Sequence, residues 1–403
     1  MRLQSEHVVI IGGGIIGAAI AYYLCKRGVN PLIIERDCIV SGASRANGGN
    51  VLLQDKLPGP TLDLAKSSFA LYRKLLQELD CDVGYVQTSG LLVAETEQDW
   101  EILSRHAHSL QTSGISINLI DSDELRRQER LLARDLCGAT ECPEEFKVNP
   151  ILLTMALLLE ARESGARILE GTEVRGFHQT NGKLTAVRTS RGDVATECAV
   201  IAAGVWSAEI AATLHVSIPV KPRKGQMLVT EVWPDAPKRT MLAAGYLTAK
   251  YVAAPDKGSA DAAQPTGDFT CSKTKEGNCL IGSRREFAGY TVQNTPEALR
   301  SVASRACRFI PSLREIKVIR AFAGLRPFSP DHRPCLGPVE QVPGLFVATG
   351  HEGEGITLAP ITGKLVADAI LGTGKEELER FLPSRFAFGS QPDAAEYRKG
   401  EKQ

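Results

Sequence analysis

Five groups of residues in this 403-residue chain have the types and spacing to do chemistry. The first is Gly12-Gly13-Gly14-Ile15-Ile16-Gly17, with Glu35 closing the next apolar run, Leu32-Ile33-Ile34. In a Gly-x-Gly-x-x-Gly turn, Gly12 permits the tight bend and Gly14 lets a pyrophosphate approach the backbone. Gly17 lets the following helix pack closely on the strand. The N–H groups and positive dipole end of that helix face the phosphates. Glu35 stands where a carboxylate accepts hydrogen bonds from ribose hydroxyls and repels a 2′-phosphate. NADP is therefore disfavoured, although Arg36 beside it softens the repulsion. NAD and FAD both remain.

The second group, Ser41-Gly-Ala43-Ser44-Arg-Ala-Asn-Gly48-Gly49-Asn50, follows the ribose acid directly. Its small residues and its hydroxyl and amide donors suit close passage of backbone along a diphosphate and a flat ring. The third, Val200-Ile-Ala-Ala203-Gly204-Val-Trp206, ends a strand without bulky side chains, so a nucleoside can lie against it. Trp206 reads equally as core packing and is given no catalytic role. The fourth lies near the end of the chain. Gly324-Leu-Arg326-Pro sits in a proline-stiffened loop that runs through Asp331. Arg326 reads either as a bidentate receptor for a carboxylate or as a brace for its own loop through Asp331.

Beyond it, Gly350-His351-Glu352-Gly353-Glu354-Gly355-Ile356-Thr357 opens the last helix. A second helix N-terminus after a second glycine turn suits a cofactor with two anionic regions. One is the pyrophosphate and the other the N1–C2=O edge of a reduced flavin, which a helix dipole stabilises. A nicotinamide needs no such second site, so FAD is expected. Glu354 either binds a substrate ammonium or caps the helix N-terminus. His351 in a glycine turn is more often a packing or hydrogen-bonding partner than a proton carrier.

The elements that must hold these groups are widely separated. Val8–Ile11, Ala199–Ala203 and Leu345–Thr349 are apolar strands of the buried parallel type, each followed at once by glycine. They predict one α/β, doubly wound, Rossmann-like sheet assembled from distant segments, with a second α+β domain inserted. Strands of a mostly antiparallel sheet are expected at Gly90–Ala94, Met227–Glu231 and Asn278–Gly282. Helices are expected near Thr61–Leu79, Glu97–Ser113 and Pro150–Ser164. The expected division assigns 1–80, 150–220 and 323–387 to the cofactor domain, and 81–149 and 221–322 to the substrate domain. A polar tail, 388–403, follows. Ala253–Phe269 loses periodicity and reads as a surface loop or a lid.

Composition narrows the class. Lys+Arg and Asp+Glu both number 47, which gives no case for nucleic acid or an anionic membrane as partner. No run approaches a membrane span, and the first strand begins too early to leave room for a signal peptide, so the chain reads as cytoplasmic. Its 10 cysteines are scattered without a C-x-x-C pair, and no metal site is expected.

These segments, with Lys221-Pro-Arg-Lys-Gly-Gln-Met227, make the chain resemble the D-amino-acid oxidase/glycine oxidase/sarcosine oxidase family of FAD-dependent enzymes. Within it, the chain is most similar to beta subunits of heteromeric dehydrogenases: the hydrogen cyanide synthase, opine oxidase and D-hydroxyproline dehydrogenase types. Tyr246-Leu-Thr-Ala-Lys250 and Gly282-Ser-Arg-Arg-Glu286-Phe carry that narrower likeness, with Gly350-His-Glu-Gly-Glu-Gly355. The resemblance implies FAD contacts at Gly12, Gly14, Ile16, Gly17, Glu35, Arg36, Ala43, Ser44, Gly48, Gly49, Asn50 and Val174. It extends them to Ala203, Gly204, Trp206, Gly324, Arg326, Gly353, Gly355, Ile356 and Thr357. Arg326, Glu354 and His351 are the expected catalytic-site residues, with Arg326 on the substrate carboxylate. The activity implied is oxidation of an amino acid or N-substituted amino acid to the imine, as a subunit passing electrons to a partner with further flavin or iron–sulfur centres. A self-contained oxidase using O₂, an FAD-linked hydroxy-acid dehydrogenase and a non-catalytic relay subunit are the alternatives. Glu352 and Glu354 depart from the aromatic or basic residues often found in this turn in glycine-oxidase-like relatives.

Overall fold

The computed structural model describes residues 7–247 and 266–386. Val9–Ile11 lies at the centre of a six-stranded sheet. Leu32–Ile34 and then Arg167–Leu169 lie on one side of it, with Ala199–Ile201, Leu345–Thr349 and Cys335–Pro338 on the other. Every pairing is parallel except that of the outermost strand, Cys335–Pro338. Segments nearly the length of the chain apart are thus brought into one sheet, because each three-residue apolar run is buried on both faces.

Ile15–Cys25 packs between this sheet and the last helix, Gly355–Ile370. Nearly all its residues are apolar and most are buried, which is why it carries no amphipathic signature. The two helices approach closely at Gly363, where a β-carbon would collide with the backbone of Ala19. Pro60–Glu78 clamps the start of the last helix through two buried hydroxyls. Ser68 Oγ donates to the Thr357 carbonyl at 2.6 Å, and Tyr72 donates to that of Ile356 at 2.5 Å.

The second large sheet has eight strands. Its edge is Val318–Phe328, followed by Lys221–Val232, Asn278–Glu286, Thr266–Lys273 and Thr240–Ala243, with Gly90–Ala94, Gly138–Cys142 and Asn118–Asp121 beyond. It is antiparallel except where Thr240–Ala243 runs parallel to Gly90–Ala94. The three expected strands are here, and that of Met227–Glu231 is longer than its apolar centre suggested. Its first half is mostly polar yet buried after Lys221, and Gly225 within it lines the cleft. The expected helices form at Pro60–Glu78, Glu97–Thr112 and Pro150–Glu163. Of the aperiodic stretch Ala253–Phe269, the part through 265 lies outside the described residues, as does 387–403; Thr266–Phe269 begins a strand rather than a loop. No helix among the described residues is long and apolar enough to cross a membrane.

Candidate cofactor and substrate site

A single cleft of about 2100 Å³, open mouth included, runs from the first glycine turn to the face of the eight-stranded sheet. At one end Gly12 has φ +118°, and the carbonyl of Ala202 occupies the place of its missing β-carbon. The N-cap residue of the helix that follows, Gly14, has no side chain to cap it. Ile15 N–H donates to Ser44 Oγ at 3.0 Å, which seats the Ala43–Ala46 turn against that helix N-terminus. Glu35 accepts from the N–H groups of Gly13 at 2.8 Å and Asp37 at 3.0 Å, which fixes the carboxylate at the cleft wall. Arg36 stacks 4.7 Å above Trp206 and also meets Asp37, so its charge is already engaged.

Most of the expected contact residues line this one cleft: Gly12, Gly14, Ile16, Glu35, Arg36, Ala43, Ser44, Gly48, Asn50, Val174, Ala203, Gly204, Trp206, Gly324, Arg326, Gly353, Gly355 and Ile356. His351 and Glu354 join them. Gly17, Gly49 and Thr357 stand behind the wall. Gly17 lies against the Gly12 carbonyl, where only a glycine fits between helix and strand, and Gly49 lies against Val148. Asn50 Oδ1 is buried with no hydrogen-bond partner, a polar atom waiting at the wall.

The last helix presents its N-terminus at the far end. Glu354 occupies the N-cap position but makes no side-chain cap bond. Its carboxylate reaches Lys56 Nζ at 2.5 Å instead. Lys56 is fully buried, and also donates to Asp55 at 2.8 Å and to the Leu52 carbonyl at 2.7 Å. Neither sequence-level role for Glu354 describes this contact. Lys56 carried no motif, and only the folded chain brings it beneath the turn. Asn47 ties the same turn to the Ala43–Gly49 loop by donating to the Gly353 carbonyl at 3.2 Å.

His351 is buried, and its Nε2 lies 3.0 Å from Thr362 Oγ1. Burial pushes its pKa down to about 3, so the imidazole is neutral across the physiological range. Glu352 takes φ +49° and is held 2.6 Å from Arg223, with His332 at 3.5 Å. Burial alone would raise this carboxyl, but His332 and Arg223 hold it down at about 2.

Arg326 projects from the edge strand of the large sheet. Asp331 does not brace it: that carboxylate is bound by Arg333 at 2.9 Å and Arg385 at 2.7 Å. The Arg326 guanidinium lies across the neighbouring strand at Gly225, where a β-carbon would fall on Nη1. That Nη1 is buried without a hydrogen-bond partner. Burial first, and then the charge of Arg285, draws its pKa down to about 10, so it remains a cation. Arg285 itself had stood in the sequence only as part of a family-like stretch. It is 3% exposed and packs 4.3 Å over the ring of Tyr246, which lines the cleft.

A parallel sheet with a glycine turn, an acid following its second strand and a second helix N-terminus on the same cleft defines a dinucleotide-binding oxidoreductase fold. The chain belongs to the family of FAD dependent oxidoreductases, whose profile matches residues 7–369. Its cofactor is FAD. The residues present fit that group: two helix N-termini whose N-cap residues make no side-chain cap bond, a glycine cradle and an orphaned amide oxygen face one cleft. The chain is 30% identical to hydrogen cyanide synthase subunit HcnC of Pseudomonas aeruginosa over 97% of this chain and 98% of that protein. It is also 30% identical to glycine oxidase of Geobacillus kaustophilus over 90% of this chain and 92% of that protein. The crystal structure of L-proline dehydrogenase from P. horikoshii superposes with a TM-score of 0.85 at 26% identity, covering 96% of this chain and 100% of that one.

Proposed function

We propose that the protein oxidises an amino acid or N-substituted amino acid, of the D-hydroxyproline or opine type, at its Cα–H bond. The observation that carries this reading is Arg326: a half-buried cation whose Nη1 is itself buried and unpartnered at the cleft wall. FAD, when bound, supplies the two-electron acceptor for the hydride leaving Cα. Arg326 receives the carboxylate in a charge-assisted hydrogen bond and so orients Cα. Met227 and Leu242 line the same end of the cleft and help keep water from the amine. The free N–H groups of the last helix meet the electron-rich end of the cofactor. His351, neutral and bonded to Thr362, supports the turn and carries no proton in this reading. The product is an imine, which hydrolyses to a keto acid or stays cyclic.

The electrons then pass to a partner subunit, with this chain as the catalytic beta subunit of a heteromeric dehydrogenase. The similarity to HcnC, a protein named as a subunit, supports this. Among the described residues no cluster of His, Cys, Asp and Glu could hold a metal centre of the chain's own. The similarity to glycine oxidase favours a second reading, in which O₂ is the acceptor. A panel of D-hydroxyproline, opines, D-amino acids, sarcosine and glycine, scored by anaerobic flavin bleaching, tests the reaction. Mixing the reduced protein with O₂ in a stopped-flow instrument separates the acceptors. Slow reoxidation of the isolated chain is expected, and reoxidation at the turnover rate overturns the partner model.

A further inference from the structure

Arg326 is not the only unsatisfied cation at the substrate end. Gly225 pairs directly with Arg285 on one side and Gly324 on the other. Residues directly opposite in an antiparallel pair project to the same face, and adjacent strands lie about 4.8 Å apart. Arg326 Nη1 occupies the space above Gly225, so the two guanidiniums stand over neighbouring strands on one face of the sheet. Arg285 Nε and Nη1 are buried without a hydrogen-bond partner, as are Arg326 Nη1 and Ser283 Oγ, one alternate position before Arg285. Ser283, Tyr246 and Gly225 all line the cleft.

The charges on this face do not balance. The charge of Arg285 lowers the pKa of both Arg223 and Arg326, and the carboxylate among them, Glu352, is bound to Arg223. Two neighbouring guanidiniums with buried donors that lack acceptors are expensive, since each unmet donor forfeits its hydration. A ligand with one carboxylate satisfies Arg326 and leaves Arg285 uncompensated. A ligand with two satisfies both.

Resting on the proposed amine oxidation, we infer that Arg285 is a second carboxylate receptor and that the substrate is a dicarboxylic amine. Arg326 then holds the carboxylate beside the oxidised carbon and Arg285 holds the distal one.

The test uses FAD-loaded protein and ligands that cannot be oxidised as amines: oxydiacetate, its singly charged counterpart methoxyacetate, and succinate as the carbon-linked dianion. Binding is read from the flavin absorption difference spectrum. Oxydiacetate is expected to bind at least tenfold tighter than methoxyacetate, and Arg285→Gln should shrink that ratio to near one while leaving methoxyacetate binding within about threefold. Arg285→Lys should restore part of the ratio, and it stands in if the first variant does not retain flavin. Equal binding of oxydiacetate and methoxyacetate by the wild type, or equal weakening of both by Arg285→Gln, overturns the inference. Succinate should lose affinity in Arg285→Gln as oxydiacetate does, and unchanged succinate binding in that variant overturns the inference. If iminodiacetate, aspartate and sarcosine all fail to bleach the flavin while the ratio holds, amine oxidation fails and the dianion site stands.

Discussion

The Arg326 guanidinium crosses the sheet over Gly225, on the strand beside its own, and occupies the space a β-carbon would need. The smallest residue on one strand therefore sets the pose of the largest cation on the next. Gly225→Ala should push Arg326 aside without touching the cofactor turns. KM for the amine should rise about 10- to 100-fold at nearly unchanged flavin content, and stability should fall by about 1–3 kcal/mol from overpacking. Steady-state kinetics and the flavin spectrum of the purified variant check both.

Removing the guanidinium is the more severe change. Arg326→Met should cost on the order of 2–5 kcal/mol of carboxylate binding, a rise in KM of about 30- to 4,000-fold. Arg326→Lys should recover only part, because a point charge cannot reproduce the planar fork. Unchanged affinity for a carboxylate inhibitor in Arg326→Met would remove the residue from substrate recognition.

The pair formed by Lys56 and Glu354 anchors the start of the last helix from below. Both are buried, and breaking such a pair costs about 3–5 kcal/mol because the survivor keeps its charge. Lys56→Met should lower the thermal midpoint and weaken flavin retention, since the turn it holds contributes Gly353 and Gly355 to the cleft. The double variant Lys56→Met with Glu354→Gln should be less destabilised than the sum of the single changes. Additive losses would mean that the two side chains do not act on each other.

Two buried groups pull the pH dependence of stability in opposite directions. Burial holds His351 at about 3, below its usual 6.5. As pH falls below 6.5 the unfolded chain therefore takes up a proton that the folded one refuses, and stability is lost. Burial pushes Glu145 up to about 7 from 4.5, despite its backbone N–H donors. Its contribution is present below 4.5 and is lost as pH rises through 7. Between pH 4.5 and 6.5 the two slopes oppose each other, each at most about 1.4 kcal/mol per pH unit. His351→Asn should leave a protein that gains stability as the pH falls through this window, and Glu145→Gln one that loses it. Urea midpoints at fixed excess FAD check the two signs. His351→Asn should also retain amine-dependent flavin reduction within about threefold, as befits a residue that moves no proton.

The cofactor end was largely legible in the sequence because its requirements are local. A tight turn needs Gly12, close helix packing needs Gly17, and a ribose acid must follow the second strand, so Glu35 could be placed from spacing alone. The final glycine turn was readable for the same reason. The substrate end was not. Arg326 stood out for its proline-bound setting, but its neighbour in sequence, Asp331, belongs to Arg333 and Arg385, and its neighbour in space is Gly225. Lys56 and Arg285 lay in stretches with no spacing signal of their own.

The sequence by itself determined two glycine turns, each opening a helix, because backbone conformation and helix dipoles are written into short runs of residues. Tertiary structure decided what surrounds the reacting end. Lys56 meets Glu354, and Arg285 stands beside Arg326, only because sheet register and helix packing bring distant segments together. Charge compensation in a buried site depends on distances through space, and those are fixed only when the whole chain has folded.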